Sequence, residues 1–378
     1  MKTDVKRNIP IMFMISLLRG MVFYASVASI YRQTFGITLF EISLIEGINY
    51  ALTILLEIPW GILADRIGYK KSMIICSFLY FISKIIFYKA YGFTMFLIER
   101  ILLAVVFSGL TGVDSSIIYL SDQENSHRNF GYHSACGTIG MLFSSFVFAF
   151  FIKDDLRMSA FATIIPYLLS FILSLFLIEV KKEKEETERP RIFSLFKTVL
   201  KNKKLIRLLI STALLSETTH LLAVFLNQEK YLEIGLTLSQ IGFINILMNL
   251  LDTSNALSKK LSDLFGRNKL AIIILSLQCF FTLCVAFSRN VFLVVLSFCM
   301  IDVLYGFFVP ISSSIQHESI DSDDRASLIS ANSMFVDIVC IFVIVICGKI
   351  ADYDLKLGIL SCAFLLFISV IEYIRSIK

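Results

Sequence analysis

Long apolar stretches follow one another along the whole chain, and they restrict its fold more than any other feature. Of 378 residues, 57% are hydrophobic and 17% are charged, whereas about 25% are charged in a typical soluble domain. A helix that crosses a bilayer needs about 20 consecutive apolar residues. We therefore predict an all-α membrane protein with twelve transmembrane helices. Spans 1 to 12 are predicted at about residues 9–31, 39–64, 72–90, 95–120, 130–152, 158–180, 205–227, 237–258, 269–288, 291–315, 327–350 and 356–375.

Charge and cysteine usage exclude several other classes of protein. The net charge is +5, but the basic residues are spread through loops and form no patch that would suit nucleic acid. All eight cysteines fall inside apolar runs without a CxxC pair or a histidine at metal spacing. No GxxxxGK[ST] loop for ATP is present. We expect no metal, no cofactor and no nucleic-acid partner.

The distribution of basic residues predicts the orientation of the chain. With a cytoplasmic N-terminus, 24 of the 35 Lys and Arg residues fall in inner loops and tails, and eight fall in outer loops. Basic residues are concentrated on the cytoplasmic side of membrane proteins, so both termini are predicted to be cytoplasmic. The one long hydrophilic stretch lies between spans 6 and 7. It divides the chain into an N-terminal six-helix bundle (1–180), a cytoplasmic linker (181–204) and a C-terminal six-helix bundle (205–378).

The two halves contain matching sequence blocks. Residues 36–45, GITLFEISLI, match residues 235–244, GLTLSQIGFI, at an offset of 199. Residues 63–71, LADRIGYKK, match residues 261–269, LSDLFGRNK, at an offset of 198. Two matches at nearly the same offset indicate an internal duplication, which is common in transporters.

The segment 61–71, GILADRIGYKK, resembles the signature loop between helices 2 and 3 of the major facilitator superfamily. The preceding Glu57-Ile-Pro-Trp60 and the span-4 segment 108–119, SGLTGVDSSIIY, resemble segments of its bacterial small-molecule exporters. This resemblance implies two six-helix bundles that face a central cavity lined by helices 1, 4, 7 and 10. It also implies a gating role for residues of the two repeated loops. They are Gly61, Asp65, Arg66, Gly68, Lys70, Asp263, Gly266 and Arg267.

Ionisable residues inside the spans are the candidate functional groups, because each one costs about 2.5–3.5 kcal/mol at the bilayer centre. Arg19 in span 1 needs an acidic partner, either Asp114 or Glu57. Glu217 and His220 lie on one face of span 7, where they form either a proton relay or a structural pair. The candidates for substrate binding or proton coupling are Arg19, Glu57, Asp114, Glu217, His220, Asp302 and Tyr305. Lys84 is expected to extend toward the membrane surface.

The sequence predicts a secondary active transporter of the cell membrane, monomeric and not an enzyme, without catalytic residues. It would move a small molecule by alternating access, with protons as the coupling ion and efflux as the favoured direction. One alternative is a polytopic membrane enzyme acting on lipid or prenyl substrates, which rests on the acidic run of Asp321, Asp323 and Asp324. An uptake carrier or a sensor of the same superfamily is the other.

Overall fold

A computed structural model describes residues 5–180, 202–251, 257–318 and 325–378. Within these ranges the chain is helical and contains no strand, which confirms the all-α prediction. Eleven helical segments are long and apolar enough to cross a membrane, and the apolar helix at the position of predicted span 8, Leu238–Leu251, is shorter. The count of twelve spans stays a prediction. Most of the linker, residues 181–201, and the acidic run at 321–324 lie outside the described residues.

Sixteen α-helices lie within the described ranges. They are α1 (Asn8–Gly20), α2 (Ala28–Thr34), α3 (Leu39–Ile67), α4 (Tyr69–Lys89), α5 (Gly92–Leu110), α6 (Val113–Ser121), α7 (Ser126–Val147), α8 (Leu156–Leu175), α9 (Lys203–His220), α10 (Asn227–Glu233), α11 (Leu238–Leu251), α12 (Ser258–Phe265), α13 (Arg267–Phe287), α14 (Val291–Glu318), α15 (Arg325–Tyr353) and α16 (Leu355–Ile377). A 3₁₀ turn, Ala25–Val27, precedes α2, and π-helical turns, Phe148–Ile152 and Leu221–Leu226, follow α7 and α9.

The described helices form two compact units. The first contains residues 5–37, 48–180 and 237–249, and the second contains residues 38–47, 202–236 and the described residues from 250 onward. The first unit has an apolar core around Met12, Ile15 and Ile117, and the second has one around Leu215, Ile274 and Phe308. Each unit therefore buries its own apolar residues in a separate core.

Many buried hydroxyl groups lie among these apolar residues. The Ser108 hydroxyl donates to the carbonyl of Ala104 at 2.8 Å, and the Thr163 hydroxyl donates to the carbonyl of Ser159 at 2.9 Å. A helix in lipid must satisfy its polar groups internally, and hydrogen bonds to a carbonyl one turn earlier achieve this. The chain can therefore carry polar residues in its spans without exposing them to lipid.

The duplicated sequence blocks fold into matching turns. Gly36 and Gly235 begin the first block with φ of 96° and 86°, and Gly68 and Gly266 belong to the second with φ of 95° and 79°. These left-handed conformations are strained for residues with a side chain. Glycine is therefore required at the same place in both halves.

The first block also repeats its helix start. The Thr38 N–H donates to Glu41 Oε2 at 2.9 Å, and the Thr237 N–H donates to Gln240 Oε1 at 2.8 Å. Each threonine hydroxyl in turn accepts from the N–H three residues later. Both are capping boxes, which begin a helix by satisfying its free N–H groups. The two halves thus start α3 and α11 by the same mechanism.

Helices α1 and α7 approach each other closely in the first unit. A Cβ atom on Gly140 would overlap the carbonyl oxygen of Leu17 and lie 3.1 Å from the Cα of Gly20. The Ser16 hydroxyl donates to the carbonyl of His133 at 2.7 Å. Small residues let two helix backbones approach this closely in membranes. The contact places α7 directly beside the C-terminal end of α1.

Candidate functional site

Span 1 is interrupted near its middle. Helix α1 ends at Gly20, and helical structure resumes only at the 3₁₀ turn Ala25–Val27. Two side chains of α8 satisfy the interrupted backbone. The Tyr167 hydroxyl donates to the carbonyl of Arg19 at 2.8 Å, and the Phe23 N–H donates to the hydroxyl of Thr163 at 3.0 Å. Such partners allow irregular backbone at membrane depth.

Span 4 is interrupted as well. Helix α5 ends at Leu110, Gly112 adopts a left-handed conformation with φ of 81°, and α6 begins at Val113. Asp114 therefore lies in the first turn of a new helix. The free N–H groups and the dipole at a helix N-terminus stabilise a negative charge. The break in span 4 creates a favourable position for the Asp114 carboxylate.

The two breaks bring Arg19 and Asp114 together. The Arg19 guanidinium lies 3.1 Å from Asp114 Oδ2, and the side chains are 12% and 27% exposed. Arg19 also donates to the Ser77 hydroxyl at 3.0 Å and to the Met73 sulfur at 3.1 Å, both on α4. Arg19 is in the last turn of α1, where the helix dipole favours a cation. Of the two expected partners, the structure selects Asp114, whereas Glu57 lies exposed on α3.

A histidine that the sequence analysis did not select lies close to this pair. His133 is on α7, within electrostatic range of both Asp114 and Arg19. Its Nε2 atom is buried and has no hydrogen-bond partner in the part of the chain that the structure describes. Only its place near the start of predicted span 5 could have indicated it, because its neighbours in the sequence give no spacing pattern.

In the second unit, Glu217 and His220 contact each other on α9. His220 Nδ1 lies 3.2 Å from Glu217 Oε1, and their side chains are 32% and 2% exposed, respectively. The π-helical turn Leu221–Leu226 follows immediately. Turns of this kind are frequent at functional sites. The spacing of three residues correctly predicted a contact between these two side chains.

Other polar groups of the second unit surround Glu217. The Tyr305 hydroxyl lies 3.0 Å from the hydroxyl of Ser216, next to Glu217 in the sequence. The charge of Asp302 acts on Tyr305, one turn away on α14, and the thiol of Cys340 on α15 is close enough to Glu217 to interact with it. The structure thus brings candidates from predicted spans 7 and 10 together.

The two repeated loops differ in their surroundings. In the first, Glu179 Oε1 accepts from the N–H of Lys70 at 3.3 Å, and a Cβ atom on Gly68 would lie 2.6 Å from the Glu179 carboxylate. In the second, Arg267 pairs with Glu318, and no atom of the described residues lies within 4 Å of a Cβ on Gly266. The remaining loop candidates are exposed. They are Gly61, Asp65, Arg66 and Asp263.

We expect Gly68→Ala to destabilise the protein more than Gly266→Ala does. Both changes place a side chain at positive φ, at a cost of about 1–2 kcal/mol. Gly68→Ala must also displace Glu179 and lose its hydrogen bond to Lys70, which adds about 1 kcal/mol. Thermal unfolding in detergent measures the difference. Glu179→Ala should remove that difference, and an unchanged difference in this background would contradict the assigned role of Glu179.

Comparisons with known proteins agree with this architecture. The family model of the Major Facilitator Superfamily matches residues 9–344. The MFS-type transporter MJ1560 of Methanocaldococcus jannaschii is 29% identical over 254 residues, 62% of this chain and 63% of that protein. The quinolone resistance protein NorA of Staphylococcus aureus is 27% identical over 176 residues, 45% and 44% of the two chains. The chain thus matches less than two thirds of the length of either relative.

Solved structures show the same fold. The nucleoside transporter NupG, in a D323A mutant, superimposes with a TM-score of 0.85 at 15% identity, covering 99% of this chain and 100% of that one. A bacterial homologue of the human lysosomal transporter Spinster gives 0.77 at 14% identity, with 99% and 96% covered. The chain belongs to the Major Facilitator Superfamily and is a multi-pass membrane protein.

Proposed function

We propose that this transporter exports an amphipathic small molecule by alternating access, in exchange for protons. The observation that carries the proposal is that each unit contains a carboxylate inside the membrane beside a basic group. These are Asp114 with Arg19 and Glu217 with His220. A carboxylate in such surroundings can change between a paired, ionised form and a neutral, protonated form. Two such sites give a transporter the means to load and release protons.

In the first unit, Arg19 and a proton compete for Asp114. While Asp114 is ionised, the ion pair holds the end of α1 against the start of α6. Protonation of Asp114 removes the attraction, and Arg19 keeps its hydrogen bond to Ser77. We propose that the substrate breaks the same pair and thereby changes the proton affinity of Asp114. Binding of substrate and of a proton would then be linked through one ion pair.

In the second unit, His220 Nδ1 lies within hydrogen-bond distance of Glu217 Oε1, at 3.2 Å. A histidine changes its charge near neutral pH, so it can exchange protons with water under cellular conditions. His220 is 32% exposed and Glu217 is 2% exposed. We propose that protons reach the buried Glu217 by way of His220. Tyr305 and Asp302 complete the polar surroundings of this relay.

Export is the proposed direction for two reasons. The segments 57–60 and 108–119 resemble those of exporters, and NorA, a quinolone resistance protein, is a relative. The loop residues Asp65, Gly68 and Gly266 are proposed to control the change between the states open to either side of the membrane. They lie at the ends of helices and not beside the Arg19–Asp114 and Glu217–His220 pairs.

A pH jump across proteoliposomes tests this proposal, with a fluorescent lipophilic cation as the probe. Vesicles with an acidic interior should accumulate the probe, because outward movement of protons drives its entry. Glu217→Gln should abolish this accumulation and retain the exchange of probe between the two sides. Glu124→Gln, an exposed acid between α6 and α7, is the matched control and should behave as the wild type.

Two outcomes would contradict the proposal. Accumulation only in vesicles with an alkaline interior would show movement of probe and protons in the same direction, hence an uptake carrier. If the probe reached equal concentrations on both sides whatever the pH difference, protons would not be the coupling ion.

A further inference from the structure

A lysine ammonium is enclosed by tyrosine rings inside the first unit. Lys84 on α4 is 4% exposed. Its Nζ lies 4.9 Å from the ring centroids of both Tyr80 and Tyr167 and 5.6 Å from that of Tyr24. It also donates to the Tyr24 hydroxyl at 3.0 Å. Aromatic faces attract a cation within about 6 Å. The expectation that Lys84 extends to the membrane surface is therefore wrong, because its partners lie inside the bundle.

A buried acid without hydrogen-bond donors accompanies this lysine. Glu99 on α5 is 1% exposed, and neither of its carboxylate oxygens has a hydrogen-bond partner within the described ranges. Its charge acts on both Lys84 and Tyr24. A buried carboxylate without donors costs several kcal/mol unless it is neutralised or paired. A structural role would normally supply donors, so Glu99 requires another explanation.

The other ionisable groups near Lys84 are basic or phenolic. Arg32 on α2 and Arg100, next to Glu99, act electrostatically on Lys84. The Arg32 guanidinium lies 5.6 Å from the ring centroid of Phe87. Tyr80 and Tyr167 contribute rings and hydroxyls. The Lys84 ammonium is thus stabilised by its contacts with the tyrosines. Glu99 is the residue of this group whose burial becomes less costly when it takes up a proton.

We propose that Glu99 is a proton-binding site for which Lys84 is the counter-charge. In one state Glu99 is a neutral acid, and Lys84 is held by the tyrosine rings. In the other, Glu99 has released its proton to water, and the carboxylate is stabilised by the Lys84 ammonium. Only the O–H bond of the carboxyl group forms or breaks. This site uses neither Asp114 nor Glu217, and it goes beyond the proposed transport function without depending on it.

One residue links this site to the Arg19–Asp114 pair. The ring of Tyr167 faces Lys84, and its hydroxyl donates to the carbonyl of Arg19 at the break in span 1. A shift of the ammonium toward an ionised Glu99 would weaken its contact with Tyr167. The protonation state of Glu99 would therefore affect how firmly the end of α1 is held.

Infrared difference spectroscopy of the full-length protein in liposomes tests the proposal through the C=O stretching band of a protonated carboxyl group. As the pH rises, the wild type should lose such a band, and Glu99→Gln should lack it at every pH. Lys84→Met should move the midpoint of the loss upward by about one pH unit or more, because an opposite charge favours the ionised acid. Lys89→Met, an exposed lysine on the same helix, should leave the midpoint unchanged.

Two results would overturn the proposal. One is a Glu99→Gln spectrum identical to that of the wild type over the whole titration. The other is a midpoint that Lys84→Met does not move. If Lys84→Met alone fails to fold, Lys84→Gln takes its place, with the same expected upward shift. The assay needs no substrate and no transport, so a failure of the transport proposal leaves its outcome unaffected.

Discussion

Asp114→Asn should abolish proton-driven accumulation of the probe in proteoliposomes. Asparagine retains the shape of the side chain and its ability to accept a hydrogen bond, but it cannot bind and release a proton. Exchange of probe between the two sides should persist, because it requires no change in protonation. Accumulation under an imposed pH difference, measured beside exchange without one, separates the two effects.

A double variant distinguishes proton coupling from a structural role. Asp114→Asn leaves Arg19, 12% exposed, without its acidic partner, and the loss of a hydrogen bond to a charged group costs about 1.5–3 kcal/mol. Arg19→Met/Asp114→Asn removes both charges and should recover most of the thermal stability, but it should not recover accumulation. If the double variant accumulated the probe as the wild type does, the pair would be structural and the coupling group would lie elsewhere.

Gly140→Ala should destabilise the protein by about 2–3 kcal/mol. The new methyl group would overlap the carbonyl oxygen of Leu17 and lie 3.1 Å from the Cα of Gly20. Both neighbours are backbone atoms, which cannot rotate away as a flexible side chain can. The helices α1 and α7 must therefore separate. A thiol-reactive dye can follow unfolding, because five of the eight free cysteines are buried in the folded protein.

A glycine-to-alanine change at Gly131, earlier on α7, should stabilise the protein instead. Among the residues that the structure describes, no atom lies within 4 Å of a Cβ on Gly131. Alanine is preferred to glycine in a helix interior by about 0.5–1 kcal/mol, so Gly131→Ala should raise the unfolding temperature slightly. Equal effects of the two substitutions would contradict the close approach of α1 and α7.

The sequence predicted the secondary structure well, because few backbone structures are stable in lipid. Long apolar runs must be helical in a bilayer, and the predicted runs correspond to the helices of the described residues. The duplicated blocks also predicted local structure, since Gly36 and Gly235, and Gly68 and Gly266, need glycine for the same turns. Turns and caps depend on neighbouring residues in the sequence, which explains this success.

The interruptions of spans 1 and 4 could not be predicted from residues close in the sequence. The segment around Gly20 is as apolar as a continuous helix, and its break is possible because Thr163 and Tyr167 of α8 supply hydrogen bonds. Glu99 is the clearest omission, since it lies inside predicted span 4 but was not selected as a candidate. Its significance depends on the absence of donors around it among the described residues, which no sequence pattern reveals.

The sequence by itself determined the membrane location, the helical class, the repeated loops and the Glu217–His220 contact. Each of these depends on composition or on residues a few positions apart. Only the tertiary structure decided that Arg19 meets Asp114 and not Glu57, and that Lys84 is enclosed by tyrosine rings. It also decided that Glu99 is buried without a donor among the described residues. The energy of a charge inside the membrane is set by the groups that surround it, and those groups come from distant parts of the chain.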